Sequence, residues 1–305
     1  MAFAVHSSIR RFSPVALISS FALLALGSCA SPKQTQHDQT LAVVWMQRGA
    51  EYRAACEQAF ASASAALPRA IADTMWNACI EQRGDATLAS KPSAVVVDVD
   101  ETMLDNSAFA ARQIELGAGF DAVAWADWVK ERRATAIPGA LAFAKAAAAL
   151  GVRVVYVTNR RCDSGDAQKP SSEESDTRAN LRALGFPIDE RDGFDVVLTK
   201  GERGSGSDKA SRRTIVGERF RIVQLVGDNL GDFAAETDPQ KDDDAARYAL
   251  QCKEVEARRA AIVAEHSAWW GTRWILIPNP SYGGFETVVR GQHGTLRAGL
   301  RTDRN

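Results

Sequence analysis

Ala94-Val95-Val96-Val97-Asp98-Val99-Asp100-Glu101-Thr102-Met103-Leu104-Asp105-Asn106-Ser107 decides how this chain is read. The β-branched run before Asp98 predicts a short strand buried on both faces, the form strands take inside a parallel sheet. It stops on two carboxylates one residue apart, which can face one crevice once the backbone leaves the pleat. Three further apolar runs follow, Val152 to Thr158, Phe194 to Thr199 and Arg221 to Gly227, and Trp274 to Ile277 offers another strand. Helical patterns at Gly139 to Leu150, Ser172 to Leu184 and Lys209 to Phe220 separate them. Strands alternating with helices imply right-handed crossovers and an α/β, doubly wound parallel sheet, with the smaller helical section at its side. In such a sheet a ligand lies beyond the carboxyl ends of the strands.

Those ends carry a consistent set of groups. The second run ends in Val157-Thr158-Asn159-Arg160, Lys209 opens the helix after the third, and the fourth ends in Gly227-Asp228-Asn229-Leu230-Gly231-Asp232-Phe233. Acid, hydroxyl, ammonium and acid thus meet at one rim. A lone Asp-x-Asp reads as a solvated turn or helix cap; four such segments on four strand ends do not. Lys200 competes with Lys209 for the cationic role, and Asn106 and Asn159 read equally as loop residues or as positioners.

The four segments, in this order, resemble the motifs of the haloacid dehalogenase superfamily. The longer strings are similar to its class C (subfamily IIIB) acid phosphatases over roughly Lys91 to Glu286. The resemblance implies a Mg²⁺-dependent phosphomonoester hydrolase of the acid phosphatase/5′-nucleotidase type. Asp98 would be the nucleophile that becomes a phospho-aspartate, and Asp100 the proton shuttle. Asp98, the backbone carbonyl of Asp100 and Asp228 would hold the ion, and Asp232 would orient that shell from behind. Thr158, Asn159 and Lys209 would meet the phosphoryl oxygens. Phe109, Phe120 and Trp128, with Tyr282 from the Asn279 to Glu286 loop, would contact the substrate where the family sandwiches a nucleobase. The helical spacing of Trp125, Trp128 and Val129 also reads as core. Phe109 stands where the family often has tyrosine, Phe285 where it has tryptophan and Gly231 where aspartate is common, which leaves the leaving-group preference open.

The residue types suit that chemistry. A phosphomonoester dianion repels a carboxylate, so attack requires prior neutralisation of charge, and a purely oxygen donor set suits Mg²⁺.

At the N-terminus, Arg10 and Arg11 precede an apolar run from Val15 to Leu26, too short for a spanning helix of about 20 residues. Leu26-Gly27-Ser28-Cys29 resembles the bacterial lipobox. Residues 1–28 therefore read as a lipoprotein signal peptide, with lipidation of Cys29 anchoring the chain to a membrane; an ordinary secretory signal is the alternative. Ala30 favours the outer membrane, so the expected location is the cell envelope, facing periplasm or cell surface. Residues 29–40 read as a flexible tether, 41–90 as an N-terminal helical section, 91–290 as the phosphatase core and 291–305 as a tail. Within the helical section the pattern runs from Leu41 to about Arg83, with Trp45, Tyr52 and Trp76 as apolar anchors.

Cys56, Cys79, Cys162 and Cys252 have no zinc-site spacing. A Cys56–Cys79 disulfide and unpaired buried thiols are both compatible with the sequence, the disulfide being preferred in an oxidising compartment. Without residues 1–28 the chain holds 35 basic and 38 acidic residues, a balance that predicts no nucleic-acid partner. A homodimer is compatible with the sequence. The competing reading is a surface lipoprotein that binds a nucleotide, haem or other planar ligand without turnover, against which the paired nucleophile and proton shuttle argue; a purely structural envelope lipoprotein is a third.

Overall fold

The computed structural model describes residues 38–162, 172–202 and 206–302. The signal peptide, Cys29 and most of the tether lie outside the described residues. Strand β1 (Ser93–Val97) is buried along nearly its whole length, as its run of valines requires. With β4 (Arg153–Arg161), β5 (Val197–Lys200), β6 (Arg221–Gly227) and β7 (Trp274–Leu276) it forms a sheet in the order β5-β4-β1-β6-β7. Every pairing in it is parallel. The chain moves outward from β1 through β4 to β5, then returns to β6 on the other side of β1. That reversal opens a crevice at the carboxyl end of β1. A small antiparallel pair, β2 (Leu104–Asp105) with β3 (Thr135–Ala136), flanks the crevice.

The helical section begins with α1 (Thr40–Arg48) and α2 (Ala50–Ala72). A Cβ on Gly49 would sit 2.6 Å from the Trp45 carbonyl oxygen, so the break between them needs glycine. On α2 the residues Tyr52, Cys56, Phe60, Ala63, Leu67 and Ala70 recur at helical spacing and are buried. They pack along α5 (Ala140–Ala149), where the Phe60 and Phe143 rings lie 5.6 Å apart, and over β6 and β7. The expected helix to about Arg83 stops instead at Ala72. Trp76 is still buried, but from a loop, its indole nitrogen donating to the Val223 carbonyl over 2.9 Å.

The expected Cys56–Cys79 disulfide does not form. Both thiols are buried and free, and that of Cys79 donates to Glu81 over 3.0 Å. Burial, with the Glu81 charge adding to it, pushes the Cys79 thiol far up.

The remaining helices are α3 (Ser107–Glu115), α4 (Ala122–Glu131), α6 (Ser172–Leu184), α7 (Ala210–Arg219), α8 (Ala245–Glu265) and α9 (Gly284–His293). Asp121 and Asp244 cap α4 and α8 by accepting from main-chain N–H groups of their first turns. α9 packs on α8 and runs past residue 290, so the expected tail begins as helix. β4 also outlasts its expected end, carrying Asn159 and Arg160 on the strand itself. Among the described residues no helix is long and apolar enough to cross a membrane.

Candidate active site

The Asp98 N–H donates to the Val226 carbonyl over 2.9 Å, holding Asp98 at the end of β1 against β6. Beyond it the chain curls tightly. Met103 and Leu104 both donate to the Val99 carbonyl, at 2.9 and 2.8 Å, and Glu101 adopts a left-handed conformation with φ 56°. A non-glycine residue there is strained, at a cost of order 1–3 kcal/mol. The Glu101 side chain holds the turn by accepting from the Asn106 N–H at 2.7 Å and from the Tyr282 hydroxyl. Burial, reinforced by the Asp100 charge, pushes the Glu101 carboxyl up to about 8.

Three carboxylates converge in front of this turn. Oxygens of Asp98, Asp228 and Asp232 lie within 4.8 Å of one another. Lys209, at the start of α7, donates to Asp98 and, over 2.6 Å, to Asp232. Asp228 is held by Asn279 at 2.8 Å and Thr102 at 3.3 Å. Burial raises the pKa of Asp98 although Lys209 opposes it. Asp228 is raised well above the usual carboxylate range by burial, with the charges of Asp98 and Asp232 adding. Burial works against the Lys209 ammonium, but Asp232 and Asp98 outweigh it and keep it charged. Three acids sharing one ammonium leave negative charge uncompensated in a low-dielectric site. An all-oxygen donor set carrying that excess fits a hard divalent cation.

Asp100 faces the next strand. Arg160 donates to it through Nη2 at 2.7 Å and Nε at 3.1 Å, Asn106 at 2.9 Å and Thr158 at 3.3 Å. The Arg160 side chain is 1% exposed, donates to Thr177 Oγ1 and lies over the Trp125 ring. Arg212 supports the same strand end from α7, donating to the Thr158 carbonyl and to Asn159 Oδ1. Burial brings its pKa down to about 10.

A cavity of about 450 Å³ opens above these groups, within the usual range for a small-molecule site. Asp98, Asp100, Lys209, Asp228 and Asp232 form its polar end. Phe109, Phe120, Trp125 and Tyr282 form an aromatic wall, with the Phe109 ring edge-on to Trp125 at 5.1 Å and to Phe120 at 6.4 Å.

The sequence profile of the HAD superfamily, subfamily IIIB (Acid phosphatase), matches residues 26–285. The chain belongs to this family. Two solved structures of the class C acid phosphatase from Bacillus anthracis resemble it, each at 28% sequence identity. The one with tungstate bound has a TM-score of 0.64 and covers 83% of this chain and 89% of that chain. The other has a TM-score of 0.63, with 83% and 88% covered. This protein is therefore a phosphatase, a phosphomonoester hydrolase on a HAD-type sheet.

In this HAD phosphatase the structure gathers Asp98, Asp100, Lys209, Asp228 and Asp232 at one strand edge, and it is Lys209, not Lys200, that meets the carboxylates. An oxygen of Asp232 lies within 4.8 Å of oxygens of Asp98 and Asp228, and its Oδ2 accepts from the Asn229 N–H at 3.0 Å. Thr158 is fully buried, with its hydroxyl on Asp100, while Asn159 lines the cavity. Trp128 departs from the expected substrate contact. It is 3% exposed, and its indole donates to Asn106 Oδ1 at 2.9 Å with the Arg112 guanidinium over the ring, so it braces the Asp100 shell from the core. Trp125 takes the place on the cavity wall. Arg160, Glu101, Arg212 and Asn279 escaped the residue-by-residue reading. Arg160 gave no usable signal, because the expected strand stopped at Thr158 and left it in the loop beyond.

Proposed function

We propose that this phosphatase acts through a phospho-aspartyl intermediate on Asp98, using Mg²⁺, on nucleoside monophosphates or similar small phosphomonoesters. The observation that carries the reading is the buried cluster of Asp98, Asp228, Asp232 and Lys209 at the end of a cavity with an aromatic wall. Asp98, the Asp100 carbonyl and Asp228 would hold the ion. When bound, it cancels charge between the phosphate dianion and the carboxylates.

A carboxylate oxygen of Asp98 attacks phosphorus as the bond to the leaving oxygen breaks. Asp100 gives that oxygen its proton, then takes one from the water whose oxygen attacks the phospho-aspartate, releasing inorganic phosphate and restoring Asp98. Lys209 holds charge on the transferring oxygens. Arg160, Asn106 and Thr158 aim Asp100. The aromatic wall of Phe109, Phe120 and Trp125, with Tyr282, offers faces to a flat leaving group such as a nucleobase. In the cell the mature chain begins at a lipidated Cys29 and is held at the outer membrane; this part of the reading is supported by the lipobox-like sequence.

The test is a phosphate-release screen over nucleoside, sugar and aryl phosphates, with Mg²⁺ and with chelator. Turnover that is abolished by chelator, restored by Mg²⁺ and highest on nucleoside monophosphates is expected. Undiminished turnover in chelator overturns the metal, and a preference for sugar phosphates overturns the stacking role.

A further inference from the structure

Large apolar side chains stand in water on the elements that border the cavity, and one of them, Phe120, is on its wall. α1 exposes Leu41 (74%) and Val44 (49%), while Val43 and Met46 are buried. The segment joining α3 to α4 and the first turn of α4 expose Leu116 (75%), Phe120 (74%) and Val123 (70%). The elements that carry the two groups adjoin. α1 packs on α3, with Gln47 Nε2 donating to Ser107 Oγ at 3.3 Å, and Gln39 and Phe120 line the same cavity. A solitary exposed leucine is ordinary, but five large apolar side chains exposed on adjoining elements mark a contact surface.

The described chain enters beside this surface. Asp38 is bound by Arg290 at 2.9 Å, and the Gln39 side chain donates to the Ser281 carbonyl at 2.8 Å. Between Asp38 and Cys29 lies a short polar segment that reaches about 30 Å when fully extended and about 17 Å as a coil. We infer that the face bearing Leu41, Val44, Leu116, Phe120 and Val123 rests on the lipid bilayer, with the mouth of the catalytic cavity at the membrane surface. This rests on the proposed acylation of Cys29. Acyl chains fix the tether in the membrane, and so short a tether holds the apolar face at high effective concentration against the lipid.

Met75 supplies the control. It is also exposed, at 64%, but its neighbour Asp73 meets Arg221 at the amino ends of the strands, the edge opposite the cavity. The full acylated chain, in a Cys162→Ser background, is labelled with an environment-sensitive fluorophore at Leu116→Cys, Val123→Cys or Met75→Cys. It is then reconstituted in phosphatidylethanolamine/phosphatidylglycerol vesicles containing nitroxide lipids. Labels at 116 and 123 should shift to the blue and lose emission to the nitroxide, and the label at 75 should do neither. Labels at 116 and 123 as wet and unquenched as that at 75 overturn the inference. So does protection that persists in detergent and grows with protein concentration, which assigns the face to a second copy. The mass of the mature N-terminus separates these results from failure of the anchor: an unmodified Cys29 removes the tether, and the inference falls with it.

Discussion

Buried charge is treated in opposite ways at the two edges of the sheet. At the amino edge Arg221, 4% exposed, donates to the carbonyls of Ala70, Ile71 and Asp73 and to Ser93 Oγ. Nearby, Gln82 donates to Gly217 and Phe220 and accepts from the Ile222 N–H. These groups are matched by partners, as polar groups withdrawn from water must be for the fold to be stable. At the carboxyl edge three carboxylates crowd around one ammonium, and two of them are driven above the ordinary carboxylate range. Matched polar burial serves stability. Electrostatic incompleteness is the mark of a place where further charge arrives, and here it coincides with the strand switch point.

The largest test of that contrast is Asp98→Asn. Phosphate release from an aryl phosphate should fall by about 10⁴-fold or more, while the melting temperature stays level or rises because one of three repelling acids is gone. Free turnover by this variant would remove Asp98 from the chemistry. Next is Arg160→Gln, for which steady-state kinetics should give a kcat about 10²-fold lower with KM nearly unchanged. Arg160→Lys should recover only part of the loss, since an ammonium cannot reproduce the fork on Asp100.

The amino edge should respond in the other currency. Arg221→Met strands several carbonyls, and urea unfolding should report a loss of about 2 kcal/mol with kcat/KM of the folded enzyme unchanged. A loss of activity without loss of stability would break the division of labour. The smallest effect falls on Glu81, paired with the fully buried Arg213 at 2.6 Å. Burial works against the Glu81 carboxylate, but the Arg213 guanidinium prevails and holds its pKa below the ordinary value. A depressed folded pKa stabilises above the unfolded pKa and loses that stabilisation as pH falls through the folded one. Glu81→Gln keeps an acceptor and loses the charge, so at pH 7 the variant should be less stable by about 1 kcal/mol. Melting curves at successively lower pH should show the gap closing through the acid range.

Much of the architecture was legible in local pattern. Ser172 to Leu184 is a helix over that span, and Arg221 to Gly227 a strand over that span. Elsewhere the pattern misled for identifiable reasons. Trp76 continues an apolar stripe yet sits in a loop, because Val223 and the stacked Arg273 guanidinium hold it there. α8 gave little warning, since Cys252 and Ile262 are buried while Leu250 and Val263 on the same helix are exposed. Trp128 and Trp125 share one spacing argument, and only the packing of α4 sends one to the core and the other to the cavity.

What the sequence determined by itself is the roster of reactive groups and their order along the strands, because strand periodicity and chain direction are local properties that send every one of these segments to the same edge. The tertiary structure alone decided which partners those groups share: Lys209 between Asp98 and Asp232, Arg160 on Asp100, Asn279 on Asp228. Charge interaction and desolvation act through space, between residues as much as 111 positions apart in the case of Lys209 and Asp98, and no local pattern records distances of that kind.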